Sequence, residues 1–127
     1  MTLAYWCVFI TIFLPIFCAA YAKRLGGFTM ADNHEPRAFL AKLSGKAARA
    51  DAAQRNGYEI FPPFAAAVII AQTTGGAGQG VINCWALLFV ASRIAFVLCY
   101  IHDKPLARSL LFGVNLLCIT ALFIAAA

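Results

Sequence analysis

DAAQRNGYEIFPPFAAAVIIA, the stretch from Asp51 to Ala71, decides the fold. Its second half is uncharged and apolar, while its first half carries Asp51, Arg55, Asn56 and Glu59, with no loop between them. A helix that begins charged and continues apolar is expected to enter a bilayer from one side. At 3.6 residues per turn, spacings of four, one and three predict that the four polar residues share a face. Asp51 with Arg55, and Arg55 with Glu59, form i,i+4 pairs worth roughly 0.2–0.5 kcal/mol each where solvated. Pro62 and Pro63 leave the carbonyls of Tyr58 and Glu59 without helical donors, so polar backbone lies beside polar side chains.

Working outward, Thr2 to Ala22 carries no charge and is long enough to span a bilayer. Ala20-Tyr21-Ala22 resembles a signal-peptide cleavage site, but no basic residue precedes the apolar run and the positive charge follows it at Lys23 and Arg24. Lys23 to Gly45 is polar and broken by Gly26, Gly27, Asn33 and Pro36, with a short interfacial helix expected over Pro36 to Leu43. A second helix is predicted from Lys46 to Ala71. Gln72 to Gly80, with four glycines and no charge, is a tight turn. A third helix runs from Val81 to Ile101, His102 to Arg108 is a basic loop, and Ser109 to Ala127 is an uncharged fourth helix.

With 63% apolar and 12% charged residues, a soluble domain of 127 residues would expose more apolar surface than it could cover. The fold class is therefore an all-α membrane protein, a four-transmembrane-helix bundle in one domain over residues 1–127. Net charge is +5, and seven of the ten Lys and Arg fall between Lys23 and Arg55. Such clustering marks a cytoplasmic loop and removes the need for a nucleic-acid partner. The same rule puts both basic loops inside, the glycine turn outside and both termini on the non-cytoplasmic side. The cysteines sit singly in apolar stretches and the two histidines in different loops, so no metal site is expected.

Glu59 lies twelve residues before Ala71, and Arg93 twelve residues after Val81. Both are then roughly 18 Å from the outer face at about 1.5 Å per residue. An isolated charge at that depth costs on the order of 3 kcal/mol, so the two are expected to pair. Tyr100 follows Arg93 on the same helical face, and Arg108 begins the last helix. Arg55, Asn56, Glu59, Arg93, Tyr100 and Arg108 together are expected to line a cationic pocket suited to a small anion.

Arg55-Asn56-x-x-Glu59, then Phe61-Pro62-Pro63-Phe64, Arg93, Tyr100 and Arg108-Ser109, in this order, resemble the family of membrane-associated proteins in eicosanoid and glutathione metabolism (MAPEG). Asp32 to Arg37, and Ala52-Ala53-Gln54 before Arg55, look similar to bacterial members, which implies an inner-membrane location. The resemblance implies a homotrimer with glutathione as co-substrate between subunits, near the cytoplasmic side. It assigns glutathione contacts to Arg55, Asn56, Glu59, Arg93 and Tyr100, and stabilisation of the thiolate to Arg108. Two positions depart from the pattern. Ala52 stands where catalytic members often have arginine, and Pro62 where relatives place an aromatic hydroxyl.

Three functions remain open at this point. The first is a glutathione-dependent transferase or peroxidase acting on lipophilic electrophiles in the membrane. The second is a non-catalytic scaffold that binds lipid or a partner. The third is a small four-helix transporter in which Glu59 titrates.

Overall fold

The computed structural model describes residues 1–127 and contains four long helices and two short ones. Helix α1 spans Leu3–Gly26, α2 Pro36–Ala41, α3 Gly45–Thr74, α4 Gln79–Ile101 and α5 Pro105–Ala126, with a 3₁₀ turn over Met30–His34. Three of them, α1, α4 and α5, are long and apolar enough to cross a membrane. These helices make the chain an integral membrane protein. Helix α3, with 30 residues and a rise of about 45 Å, is the longest but is not one of these three, because its first half is charged.

Several ends differ from the sequence reading for identifiable reasons. Helix α1 continues past Ala22 through Lys23 and Arg24, because cations are favoured in a last turn and Gly27 (φ 72°) closes it in the left-handed conformation. The N–H of Phe28 donates to the Lys23 carbonyl at 3.0 Å. Helix α3 runs three residues beyond Ala71 to a second left-handed glycine, Gly75. Helix α5 starts at Pro105, not Ser109, because proline fits the first turn, where its missing N–H costs nothing.

The main core joins all four long helices through Ala4, Cys7, Phe64, Ala67, Phe89, Cys118 and Leu122. Phe64 of α3 stacks on Phe89 of α4 with centroids 3.7 Å apart. Helices α1 and α3 approach closely where Gly57 meets the Pro15 ring; a Cβ on Gly57 would lie 3.0 Å from the Pro15 Cβ. A second, smaller cluster of Ala22, Leu40, Ala50 and Ile101 packs α2 against α1, α3 and α4.

The chain ends and the glycine turn gather at one pole of the bundle. The Gln72 amide donates to Thr2 Oγ1 at 3.0 Å, and the Ala4 N–H donates to Asn83 Oδ1 at 3.1 Å. Gly76 lies against the carbonyls of Ala125 and Ala126. The basic connections, Gly27 to Ser44 and His102 to Lys104, lie at the other pole.

Candidate functional site

Toward the basic pole, α4 carries Arg93, Phe96 and Tyr100 at i, i+3 and i+7, one face of a helix. The Arg93 guanidinium lies 4.1 Å from the Phe96 ring centroid, and Phe96 meets Tyr100 edge to face at 5.7 Å. The Arg108 guanidinium, from the second turn of α5, lies 4.5 Å from the Tyr100 ring centroid. Two aromatic rings thus lie between two cations, from inside the bundle to its basic end. Both cations gain from the ring quadrupoles, by about 0.5–2 kcal/mol each.

Asn56, Phe96, Tyr100, Arg108, Ser109 and Phe112 surround a cavity of about 280 Å³. Asn56, Tyr100 and Arg108, expected together from the sequence, line this space. The beginning of α5 adds its own positive potential to that of Arg108, so this mouth favours an anion. Asn56 Oδ1 is buried with no hydrogen-bond partner and is an acceptor free for a ligand N–H.

Arg55 does not join them. Adjacent residues of a helix project 100° apart, and Arg55 turns toward α2, where its guanidinium forms an ion pair with Asp51. Its Nε donates to Asp51 Oδ2 at 3.0 Å. Asp51 is buried, and the pair borders a second cavity of about 380 Å³ together with Arg37, Gln54 and Tyr58. The expectation of one shared polar face on α3 is therefore corrected to two, with Asp51 and Arg55 on one and Asn56 on the other.

The expected pairing of Glu59 with Arg93 is corrected as well. Glu59 is exposed on the chain surface and accepts a hydrogen bond from the Asn56 amide at 3.3 Å. Its charge reaches Arg93 through space, but no ion pair joins them. Arg93 is 1% exposed and its Nη1 donates to Asn115 Oδ1 of α5 at 3.3 Å. Asn115 Nδ2 donates to Ser92 Oγ at 2.7 Å, and Ser92 Oγ to the Phe89 carbonyl at 3.0 Å. Counting residues along a helix does not fix which way each side chain turns. Arg93 Nη2 remains buried without a partner.

Ser92, Phe96, Phe112 and Asn115 are the members of this region that the sequence reading missed. Asn115 had a signal, being a lone amide in an uncharged span, seven residues after Arg108 and therefore on its face. No group of His, Cys, Asp and Glu is placed to hold a metal ion.

Neither a curated protein nor a solved structure matches this chain. A family model does, over residues 3–127: the chain belongs to the MAPEG family.

Proposed function

We propose that this protein is a glutathione-dependent transferase or peroxidase acting on lipophilic electrophiles, working as a homotrimer of four-span subunits. The observation that carries this reading is the cavity in which Arg108, Tyr100 and Asn56 converge at the basic end of the bundle. A cation beside a helix N-terminus is what a thiolate nucleophile needs, because charge stabilisation lowers the thiol pKa and raises the reactive fraction. Arg108 supplies that charge, with its guanidinium held over the Tyr100 ring. Asn56 Oδ1 offers an acceptor to a peptide N–H, and Arg93 contributes positive potential from within the bundle.

In the transferase reaction the thiolate sulfur forms a bond to an electrophilic carbon, whose leaving group departs with the bonding electrons. In the peroxidase reaction two glutathiones are oxidised to the disulfide, while a hydroperoxide is reduced to an alcohol and water. Lipophilic substrates reach the site from the bilayer, which surrounds the exposed apolar sides of α1, α4 and α5.

The separation of Arg55 from Arg108 favours assembly. They border different cavities of one chain, so a single tripeptide touches both only where a neighbouring copy supplies one of them. Exposed Glu59 fits the same arrangement, as a residue completed by a neighbour. We assign Arg55, Asn56, Glu59, Arg93 and Tyr100 to glutathione and Arg108 to the thiolate. Ala52 and Pro62 favour a second reading, a scaffold of the same fold that binds ligand without activating a thiol.

The test is thermal stabilisation of the purified protein by glutathione, joined to an ultraviolet scan for bound thiolate. The enzyme reading expects stabilisation and a thiolate band that Arg108→Ala abolishes. Stabilisation without the band establishes the scaffold, and no stabilisation removes glutathione from both readings.

A further inference from the structure

An apolar groove of about 290 Å³ runs between α1 and α4, on the side of the bundle away from α5 and from both polar cavities. Leu14, Phe17 and Tyr21 of α1 line one wall, and Ile94, Leu98 and Ile101 of α4 the other. Phe17 is 66% and Leu98 53% exposed, so the groove opens sideways along its length. In a chain whose surroundings are lipid, an open apolar groove has acyl chains as its solvent.

What distinguishes the groove from ordinary lipid-facing surface is its basic end. Leu14, Phe17, Tyr21 and Arg24 follow one another at spacings of three, four and three, a single stripe of α1 that begins apolar and ends in an exposed cation. Lys46 Nζ lies 6.0 Å from the Tyr21 ring centroid. Arg49 Nε donates to the Ile101 carbonyl at 3.1 Å, which fixes a second cation of α3 beside the opposite wall. His102 closes the groove, and Asp103 is the one acid of that connection. Three cations from two helices therefore gather where the apolar walls stop.

We propose that this groove is a site for an anionic phospholipid, one acyl chain lying between α1 and α4 and the phosphate resting against Arg24, Lys46 and Arg49. The charge pattern selects that occupant. A zwitterionic lipid leaves the cluster uncompensated, and a second copy of this chain would bring the same excess of positive charge to the same end. Arginine and lysine near an anionic lipid surface are worth about 1 kcal/mol each, enough for roughly fivefold enrichment per cation. The site makes no use of glutathione, and its test is separate from that of the proposed reaction.

The experiment uses the full chain in nanodiscs of phosphatidylcholine with a minority of phosphatidylglycerol, transferred to mild detergent, with co-purified lipid measured by mass spectrometry. The wild type is expected to retain phosphatidylglycerol at several times its share of the bilayer. Arg24→Gln with Lys46→Gln, both exposed positions, should lower that enrichment by at least about fivefold with helicity unchanged. Leu98→Trp, which fills the groove, should remove the retained lipid whatever its headgroup. Retention in the bulk ratio, or enrichment indifferent to all three substitutions, overturns the proposal. So does a crosslink between Leu98→Cys residues of two copies, which would show another subunit in the groove.

Discussion

Arg93 is a charge that the bilayer penalises, held by an amide that the bilayer also penalises. A buried arginine within a span costs little only while its donors have acceptors, and Asn115 is the one hydrogen-bonded acceptor it has. Asn115→Leu is expected to destabilise by about 2–4 kcal/mol, because it leaves the guanidinium buried beside apolar groups. Adding Arg93→Met should recover part of that loss, since two matched apolar residues remove the demand along with the partner. A double-mutant cycle on unfolding free energy in mixed micelles checks this; strictly additive losses would show that the two residues do not act as a pair. The same pair shows the limit of reading depth from sequence. Counting residues placed Arg93 inside the bundle correctly, but its partner is a neutral amide on α5 because Glu59 turns outward to Asn56. Charges attract attention in a sequence and amides do not, although in an apolar core a fixed amide oxygen satisfies a guanidinium donor without adding a second desolvated ion.

At the scale of elements, the contact of Pro15 with Gly57 sets how closely α1 and α3 approach. Gly→Ala within a helix ordinarily stabilises by about 0.5–1 kcal/mol. Gly57→Ala should do the reverse, because its Cβ would press at 3.0 Å on a proline ring built into another helix. An overpacking cost of about 1–3 kcal/mol outweighs the propensity gain. Gly113→Ala, with nothing within 4 Å of the added methyl, is the control and should show no loss in thermal midpoint. The 3₁₀ turn gives a pH-dependent counterpart. Asp32 accepts hydrogen bonds from the Thr29 N–H and hydroxyl, both at 2.8 Å, and these hold its carboxyl below the usual range. A depressed folded pKa means that the cap stabilises fully above the unfolded value of about 3.9 and fades as pH falls through the lower, folded value. The protection factor of the Thr29 amide, its exchange relative to the intrinsic rate at each pH, should therefore fall as pH drops through that lower value. Thr29→Val, lacking the hydroxyl donor, should move the Asp32 titration upward by NMR. The long helices were legible because hydropathy and charge segregate over whole turns. Their ends were less so, since Lys23 and Pro105 read as loop residues until dipole and first-turn chemistry are weighed. The grouping of the polar residues was not legible: Arg55 and Asn56 are neighbours in sequence and border different cavities.

At the scale of the molecule, sidedness and assembly are linked by where the cations stand. Both termini and the glycine turn share one pole, and the basic connections share the other. If basic loops stay inside, Gly78→Cys should react in intact cells with a membrane-impermeant maleimide, and Ala41→Cys only after lysis. Cys84 is exposed and Cys99 half-buried, so the unmodified chain serves as the blank. Reaction of Ala41→Cys from outside, with Gly78→Cys labelled only after lysis, would invert the topology and place Arg108 on the wrong side for a cytosolic tripeptide. Given that orientation, the proposed trimer makes a prediction that rests on the two cavities. Mixing Arg55→Gln chains with Arg108→Ala chains should restore the bound-thiolate band in a fraction of the proposed trimers, because each hybrid interface that joins an intact Arg55 to an intact Arg108 rebuilds one site. A site contained in one chain predicts no such rescue at any mixing ratio, since every copy would then lack one of its two cations.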